Sequence, residues 1–282
     1  MNTESAVRDL IRLAITEDVG DGDHTSLSTI PANAMGSAVL LIKAAGVLAG
    51  VEIARYVFEE FDPAIQFKQM LNDGEKVKPG DIAFEVSGPS ATILSAERLV
   101  LNFMQRMSGI ATHTRKLTDL LEGLPTRLLD TRKTTPNMRI FEKMAVKIGG
   151  GVNHRFGLYD MILIKNNHID FAGSLTAAVK NAQTYLEQND KNLAIEVEVR
   201  NFDELYEALS LQGLQRIMLD NFSVEDMKTA VRIIAGKVET EASGGITAES
   251  LRKYAETGVD FISVGALTHQ ITSLDMSLRA LS

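Results

Sequence analysis

The sequence contains no cysteine. That excludes disulfides, thiolate-bound metals and cysteine nucleophiles, and gives no sign of an oxidising compartment. It also lacks any apolar run approaching the roughly 18 to 20 residues of a membrane-spanning helix. The stretch MNTESAVRDLIRLAITEDVG has no signal-peptide core, because Arg8, Asp9 and Arg12 interrupt it. Positive charge is in deficit: the formal net charge is −8, so broad binding to nucleic acid or to an anionic membrane is disfavoured. Any anion site must therefore be a local concentration of cations. Low-complexity segments and obvious flexible linkers are missing too. What remains is a chain of 282 residues, 45% hydrophobic and 23% charged, with ample core-forming capacity for one large domain or two. The expectation is a cytoplasmic soluble protein with no nucleic-acid and no membrane partner.

Two textures follow one another, changing near residues 110 to 127. In the first, AVRDLIRLAITED sets Val7, Leu10, Ile11, Ala14 and Ile15 on one helical stripe. GSAVLLIKAAGVLAGVEIARYVFEEF reads as strands followed by a helix, and turn signals at Asn72-Asp73-Gly74 and Lys78-Pro79-Gly80 flank short β-type runs. SAERLVLNFMQRMSGIATHTRKLTDLLEG is a long amphipathic helical pattern, expected to start near Ser95 and Arg98 and to end by Gly123. The second texture alternates strand and helix. Its candidate strands are RLLDT, MILIK, AIEVEV, RIMLD, KVETEAS and DFISVG, and the later units recur roughly every 21 to 23 residues, the length of a short βα unit. Such a series indicates a parallel sheet covered by helices. The expected class is α/β, with closure into a TIM-like barrel; a doubly wound open sheet is the alternative.

In an α/β barrel the chemistry collects at the C-terminal ends of the strands. Those ends carry Asp130-Thr131-Arg132-Lys133, Lys165-Asn166-Asn167-His168, Asp220-Asn221, Glu241 with Ser243-Gly244-Gly245, and Gly265-Ala266. Glu196 and Glu198 are two apart in one apolar strand, so they share a face. A carboxylate facing a barrel interior must be paired or must bind a cation or sugar hydroxyl. An ion pair with Lys165 is the plain structural reading. Recurrence of a carboxylate, Asp220, at the end of the next strand favours function. Two carboxylates with no His or Cys ligand set suit Mg²⁺ held by Glu198 and Asp220, directly or through water, and partly through a phosphate substrate.

The glycines of ASGGI and SVGAL, at the ends of the last two strands, expose backbone N–H groups beside helix N-termini. Taken together they favour phosphate over two tight turns. The segment DTRKTTPNMRIFEKMAVKIGGGVNHRFG concentrates Arg132, Lys133, Arg139, Lys143, Lys147, His154 and Arg155 in this acidic chain. Helical spacing makes Arg139, Lys143 and Lys147 readable as a solvated basic face. Arg132 and Arg155 flank that helix and are better placed for an anion, which arginine holds bidentately. The glycine triplet is no Walker loop, since no Gly-Lys-Ser/Thr follows. EDVGDGDHT lacks the register of a calcium loop. NDGEKVKPGDIAFEVSG lacks the tip lysine of a lipoyl-type hairpin. His113 and His269 read as structural.

Together TRKTTPNMR, GGGVNHRFGLYDMILIKNNH, EVEV, LDNF, ASGGI and TGVDFISVGALTH, with EDVGDGDHTS near the start, resemble the quinolinate phosphoribosyltransferase family, the nicotinate-nucleotide pyrophosphorylases (carboxylating) of NAD biosynthesis. The resemblance covers nearly the whole chain. It implies an N-terminal α/β (α+β sandwich) domain over residues 1–110, rejoined by the C-terminal segment 268–282, and an incomplete TIM-like α/β barrel over 111–267. It implies phosphoribosyl transfer from phosphoribosyl pyrophosphate to quinolinate with decarboxylation, aided by Mg²⁺, in a homodimer or larger homo-oligomer with a shared active site. Carried over residue by residue, Arg132, Lys133, His154, Arg155 and Lys165 line the anionic pocket. Arg98 enters from the partner subunit, Glu198 and Asp220 stand near the ribose and metal, and Ser243, Gly244, Gly245, Gly265 and Ala266 form the phosphate loops. Lys133, Lys165, Glu198 and Asp220 are the catalytic candidates. Asn137 and Asn166 depart from the commoner glycine and aspartate. The competing readings are a relative of the same fold with another acceptor, such as the molybdenum-utilisation protein, a non-enzymatic phosphometabolite-binding barrel, and an isomerase-type phosphate barrel.

Overall fold

The computed structural model describes residues 3–281, which form two compact units. The first comprises the chain up to Arg115, Thr134–Gly150, and the chain from Leu267 onward; the second comprises Lys116–Lys133 and Gly151–Ala266. Among the described residues no helix is long and apolar enough to cross a membrane.

The first unit holds α1 (Thr3–Val19), α2 (His24–Thr29), α3 (Val51–Phe61), most of α4 (Ser90–Asp119), α5 (Arg139–Ile148) and strands β1 (Met35–Ile42), β2 (Gly46–Val47), β3 (Gln66–Gln69), β4 (Lys76–Val77), β5 (Ile82–Pro89) and β12 (Met276–Leu281). Its four-stranded sheet runs β12-β1-β5-β3 and is antiparallel throughout. Alternate residues of β1 are buried, with Leu40 and Ile42 fully so, as a sheet with one covered face requires. Phe58 of α3 packs on that face through Phe84, ring centroids 6.0 Å apart. The expected stripe on α1 buries Val7 and Ile11, and Arg8 and Arg12 fasten α1 to Glu59 and Glu60 of α3.

Helix α4 begins at Ser90 rather than near Ser95, directly after Pro89 closes β5. Ser95 instead ties α4 to α2, its hydroxyl donating to the N-cap carboxylate of Asp23 at 2.8 Å. The C-terminal segment returns to this unit. Leu274 N–H donates to Gln105 O, and Gly109 lies so close to Thr272 that a Cβ would come within 2.4 Å of its carbonyl.

The boundary differs from the expected one at Thr134–Gly150. The resemblance puts this segment inside the barrel, but α5 packs on α4 in the first unit. Phe141 lies 4.7 Å from Phe103, and the fully buried Glu142 accepts from Arg106 at 2.8 Å. The solvated-face reading of α5 therefore holds for exposed Lys147 and fails for Lys143, which is only 1% exposed.

The second unit is the barrel. All six strands expected from the sequence are present: β6 (Arg127–Leu129), β7 (Ile162–Ile164), β8 (Ile195–Val199), β9 (Arg216–Asp220), β10 (Glu239–Ser243) and β11 (Phe261–Ser263). They pair in parallel in the order β6-β11-β10-β9-β8-β7. Between them run α6 (Asn166–Ala172), α7 (Leu175–Gln188), α8 (Phe202–Leu209), α9 (Val224–Ile234) and α10 (Ala248–Ala255), and α11 (Ala266–His269) follows β11. Three of these starts are legible locally: Ser174, Asn201 and Ser223 each accept a backbone N–H at an N-cap. The two edge strands, β6 and β7, are not paired with each other, so the barrel is incomplete. It is nonetheless curled. Flat, six strands would put β6 and β7 roughly 24 Å apart, yet residues following both line one cavity. That excludes the open doubly wound sheet.

Candidate active site

The cavity, of about 290 Å³, opens at the C-terminal ends of the barrel strands and is lined by Thr131, Arg132, Lys133, His154, Arg155, Leu163, Lys165, Met218, Glu241, Ser243 and Ser263. Six residues given a binding or catalytic role from the sequence converge here, Arg132, Lys133, His154, Arg155, Lys165 and Ser243, together with the strand-end residues Thr131 and Glu241. They come from four separate stretches of chain, and the backbone explains how. After β6, Val152 forms a bridge with Leu129; its N–H donates to Leu128 O, and Asp130 N–H returns to Val152 O. The buried Asp130 carboxylate then accepts the His154 N–H at 2.8 Å. The positive φ of Gly150, +96°, supplies the turn that brings the chain back from α5. Lys165 is placed by the start of α6, where its N–H donates to His168 Nδ1 at 2.8 Å.

Four of the lining side chains are cationic. Arg155 is half-buried and donates to Met161 O at 3.2 Å. Burial, and then the nearby Arg132, work against its charge and lower its pKa from the ordinary arginine value. Gathering like charges in this way is unfavourable until an anion enters.

Below the cations lies a buried charged cluster. His154 Nε2 is 3.0 Å from Glu196 Oε2 and 3.4 Å from Glu241 Oε2. Arg216 Nη1 reaches Glu241 Oε2 at 3.1 Å and Glu196 Oε2 at 3.9 Å, while its other nitrogens hold Glu239. Burial disfavours a charged imidazole, but Glu196 and Glu241 outweigh it and lift the His154 pKa to about 9. Burial and then Glu241 push Glu196 up to about 7. Glu241 is also raised by burial, but His154 and Ser263 hydrogen bonds and nearby Arg216 bring it below the usual carboxylate range. The Arg155 N–H donates to His154 Nδ1 at 2.7 Å. Hydrogen on both ring nitrogens would set two N–H groups against each other, so the geometry places the ring proton on Nε2 and the cluster's further proton among the carboxylates, which titrate with the ring as one unit.

The remaining expected residues are not among those that line the cavity. Glu198 is 7% exposed on β8, with Oε2 3.8 Å from Lys165 Nζ, and the Asn166 N–H points toward Oε1 at 3.5 Å. Burial raises its pKa; Lys165 pulls it back and Asp220 pushes it further up. Glu198 pairs in register with Met218, two residues before Asp220, so both carboxylates point to the same side of neighbouring strands. An all-oxygen pair fits Mg²⁺, with other positions left to phosphate oxygens and water. His154, Glu196 and Glu241 also lie close enough together to be a ligand set, but Arg216 already neutralises those carboxylates, so they fit a cation poorly. The Ser243-Gly244-Gly245 loop folds against the loop after β9. Gly244 has φ +100°, and a Cβ there would lie 2.3 Å from Asn221 Oδ1. Gly265 and Ala266 sit where β11 passes into α11. Arg98 is exposed on α4, in the first unit.

The sequence marks Thr131 and Glu241 only as strand-end residues, without a role; Leu163, Met218 and Ser263, with Arg216 beneath them, escaped the sequence reading. Period two puts Glu241 on the same face as Ser243, which follows one strand repeat later. Arg216 carries no such local sign, since its partners lie on β8 and β10.

Asn137 sits at φ +62°, a left-handed conformation. Asparagine tolerates it better than other side-chain-bearing residues, which explains how it stands where glycine is commoner.

Two family models cover the chain: the quinolinate phosphoribosyl transferase N-terminal domain over residues 23–108 and its C-terminal domain over 110–279. A protein of Nicotiana tabacum named quinolinate phosphoribosyltransferase (decarboxylating) 1b is 44% identical over 97% of this chain and 82% of its own length. One of Bacillus subtilis, named probable nicotinate-nucleotide pyrophosphorylase (carboxylating), is 41% identical over 96% and 92%. The solved nicotinate-nucleotide pyrophosphorylase of Francisella tularensis superposes with a TM-score of 0.91 at 42% identity, covering 100% of this chain and 98% of that one. By sequence, by fold and by the residues gathered at its barrel mouth, the chain belongs to the quinolinate phosphoribosyltransferase family.

Proposed function

We propose that this protein transfers the phosphoribosyl group of phosphoribosyl pyrophosphate to quinolinate and releases CO2, giving nicotinate mononucleotide and pyrophosphate in de novo NAD biosynthesis. The observation that carries the reading is the convergence of Arg132, Lys133, Arg155 and Lys165 on one cavity in a chain of net charge −8. Both substrates are polyanions, and quinolinate brings two adjacent carboxylates to which arginines donate in pairs.

The chemistry needs no side-chain nucleophile. The pyridine nitrogen attacks the anomeric carbon as the bond to pyrophosphate breaks, and positive charge develops on the ribose. Glu198, whose burial strengthens its field, and Asp220 stabilise that charge. Lys133 and Lys165 stabilise the negative charge on the departing pyrophosphate. Glu198 and Asp220 would hold Mg²⁺, which when bound adds Lewis-acid stabilisation to the same leaving group. Once the nitrogen is quaternary, the C2–carboxylate bond breaks, its electron pair stays on C2 beside the cationic nitrogen, and a proton then replaces CO2. Ser243, Gly244, Gly245, Gly265 and Ala266 present backbone N–H groups to the 5′-phosphate. The cysteine-free chain suits work in the cytoplasm.

We also propose a homodimer or larger homo-oligomer in which Arg98 of one subunit completes the cavity of its neighbour. Arg98 is exposed on α4, where a second copy of the chain can meet it. Arg98→Ala and Lys133→Ala, each inactive alone, should recover part of the activity when mixed and allowed to exchange subunits. No recovery on demonstrated exchange counts against sharing.

The test of the reaction is a stoichiometric assay with quinolinate, phosphoribosyl pyrophosphate and Mg²⁺. Nicotinate mononucleotide and CO2 should form in equal amounts, and nicotinate should not replace quinolinate. Anion binding without product would move the reading to a relative with another acceptor.

A further inference from the structure

We infer that Glu196, Glu241 and Arg216 are positioning residues for the dicarboxylate site: from the floor of the cavity they fix the His154 ring, and through its other nitrogen they fix the backbone that carries Arg155. The inference deepens the reading of the cavity as a quinolinate site and rests on it.

The argument is one of connectivity. His154 is held from both sides. Nε2 faces Glu196 at 3.0 Å and Glu241 at 3.4 Å, and Nδ1 accepts the Arg155 N–H at 2.7 Å. A ring whose Nδ1 accepts a hydrogen bond and whose Nε2 lies at ion-pair distance from two carboxylates cannot flip without losing both contacts. Arg155 leaves the chain at that fixed N–H, and its guanidinium is tied at a second point, Met161 O. The carboxylates are fixed in turn. Glu196 and Glu241 come from β8 and β10, on either side of β9, and Arg216 stands between them in register with Glu196. Its guanidinium lies 4.1 Å over the Phe261 ring and is 13% exposed. Glu196 and Glu241 have no exposure, and two buried carboxylates this close are tolerated only where their charge is offset. Arg216 supplies the cation from below, the shared proton reduces the negative charge, and the His154 Nε2–H faces the carboxylates from above. A line of contacts therefore runs from the barrel floor to the ligand: arginine, carboxylates, imidazole, then the arginine that binds carboxylate. Only the last member needs to touch quinolinate. Replacing a buried ion cluster by packed hydrophobic residues is often neutral or stabilising, so barrel stability alone does not account for these charges.

The test uses Glu196→Gln and Glu241→Gln in the full chain, which keep shape and remove charge, with Glu239→Gln as comparator. Glu239 also pairs with Arg216 but is 52% exposed and does not reach His154. Expected for the two buried variants is a quinolinate KM raised about tenfold or more, with the KM for phosphoribosyl pyrophosphate and the kcat at saturation changed less than about twofold. Glu239→Gln should leave all three near the wild-type values. Nitrogen-15 NMR of the five histidines gives a readout independent of turnover. Wild-type His154, assigned from its loss in His154→Gln, should show an unprotonated Nδ1 and a protonated Nε2. That pattern should blur into exchange between tautomers in Glu241→Gln. A protonated Nδ1 in the wild type, unchanged quinolinate KM in both buried variants, or an equal effect from Glu239→Gln would overturn the inference. Should the wild type not turn over quinolinate at all, the reaction assignment fails, and the NMR pattern still decides whether the cluster holds the ring.

Discussion

The four-stranded sheet and the barrel mouth bury opposite kinds of interior. Beneath the four-stranded sheet lie Leu40, Ile42, Phe58 and Phe84, all without exposure. Inside the barrel lie Glu196, Glu241 and Asp130, equally without exposure, with His154 and Arg216 against the two glutamates. The first interior is what burial of apolar surface alone would select. The second is costly, because desolvating charges offsets much of what their attraction returns. Buried charge also occurs in the first unit, as Glu142 with Arg106; what sets the barrel cluster apart is its place at the floor of a cation-lined cavity.

Several substitutions would break or sharpen that contrast. The largest effect on stability is expected from Phe84→Ala in the sheet unit, about 3 to 5 kcal/mol, read as a lower denaturant midpoint with unchanged turnover per folded molecule. A matched loss of kcat would mean that the two interiors do not divide the labour. In the barrel, Glu198→Gln should do the reverse. The kcat should fall roughly 10²- to 10³-fold while the melting temperature holds or rises, because a carboxylate whose pKa burial has raised is removed. A cooperative loss of structure would make Glu198 a structural residue. Gly244→Ala should cost about 1 to 2 kcal/mol, from a left-handed backbone and from contact with Asn221. It should weaken phosphoribosyl pyrophosphate far more than quinolinate, and calorimetry with each ligand separates the two. The smallest effect is expected from Asn137→Gly, within about 0.5 kcal/mol, since both residues accept φ +62°. Asn137→Val should be clearly worse in the same unfolding experiment.

The barrel was legible because its strands are short apolar runs at regular spacing and its helices begin at Ser174, Asn201 and Ser223, each a local signal. The cationic lining was legible for a related reason: Arg132, Lys133 and Lys165 directly follow strands, where a barrel must present them. What was not legible depends on contacts between distant stretches. Nothing local says that α5 leaves the barrel, since its assignment is settled by Phe103 and Arg106 on α4. Lys143 reads as solvated because helical spacing shows periodicity and not what faces each side. Ser95 reads as a helix start, but its partner is Asp23, 72 residues away. Arg216 beneath His154 follows from strand register, which the sequence does not display.

Calorimetric titration of quinolinate and of nicotinate into the wild-type protein and Arg155→Ala tests the central claim most directly. If the cationic cavity is a dicarboxylate site, quinolinate binds once per chain, nicotinate binds at least about tenfold more weakly, and the preference disappears in Arg155→Ala. Equal affinity for the two acids, or a preference that survives the loss of Arg155, would contradict the account.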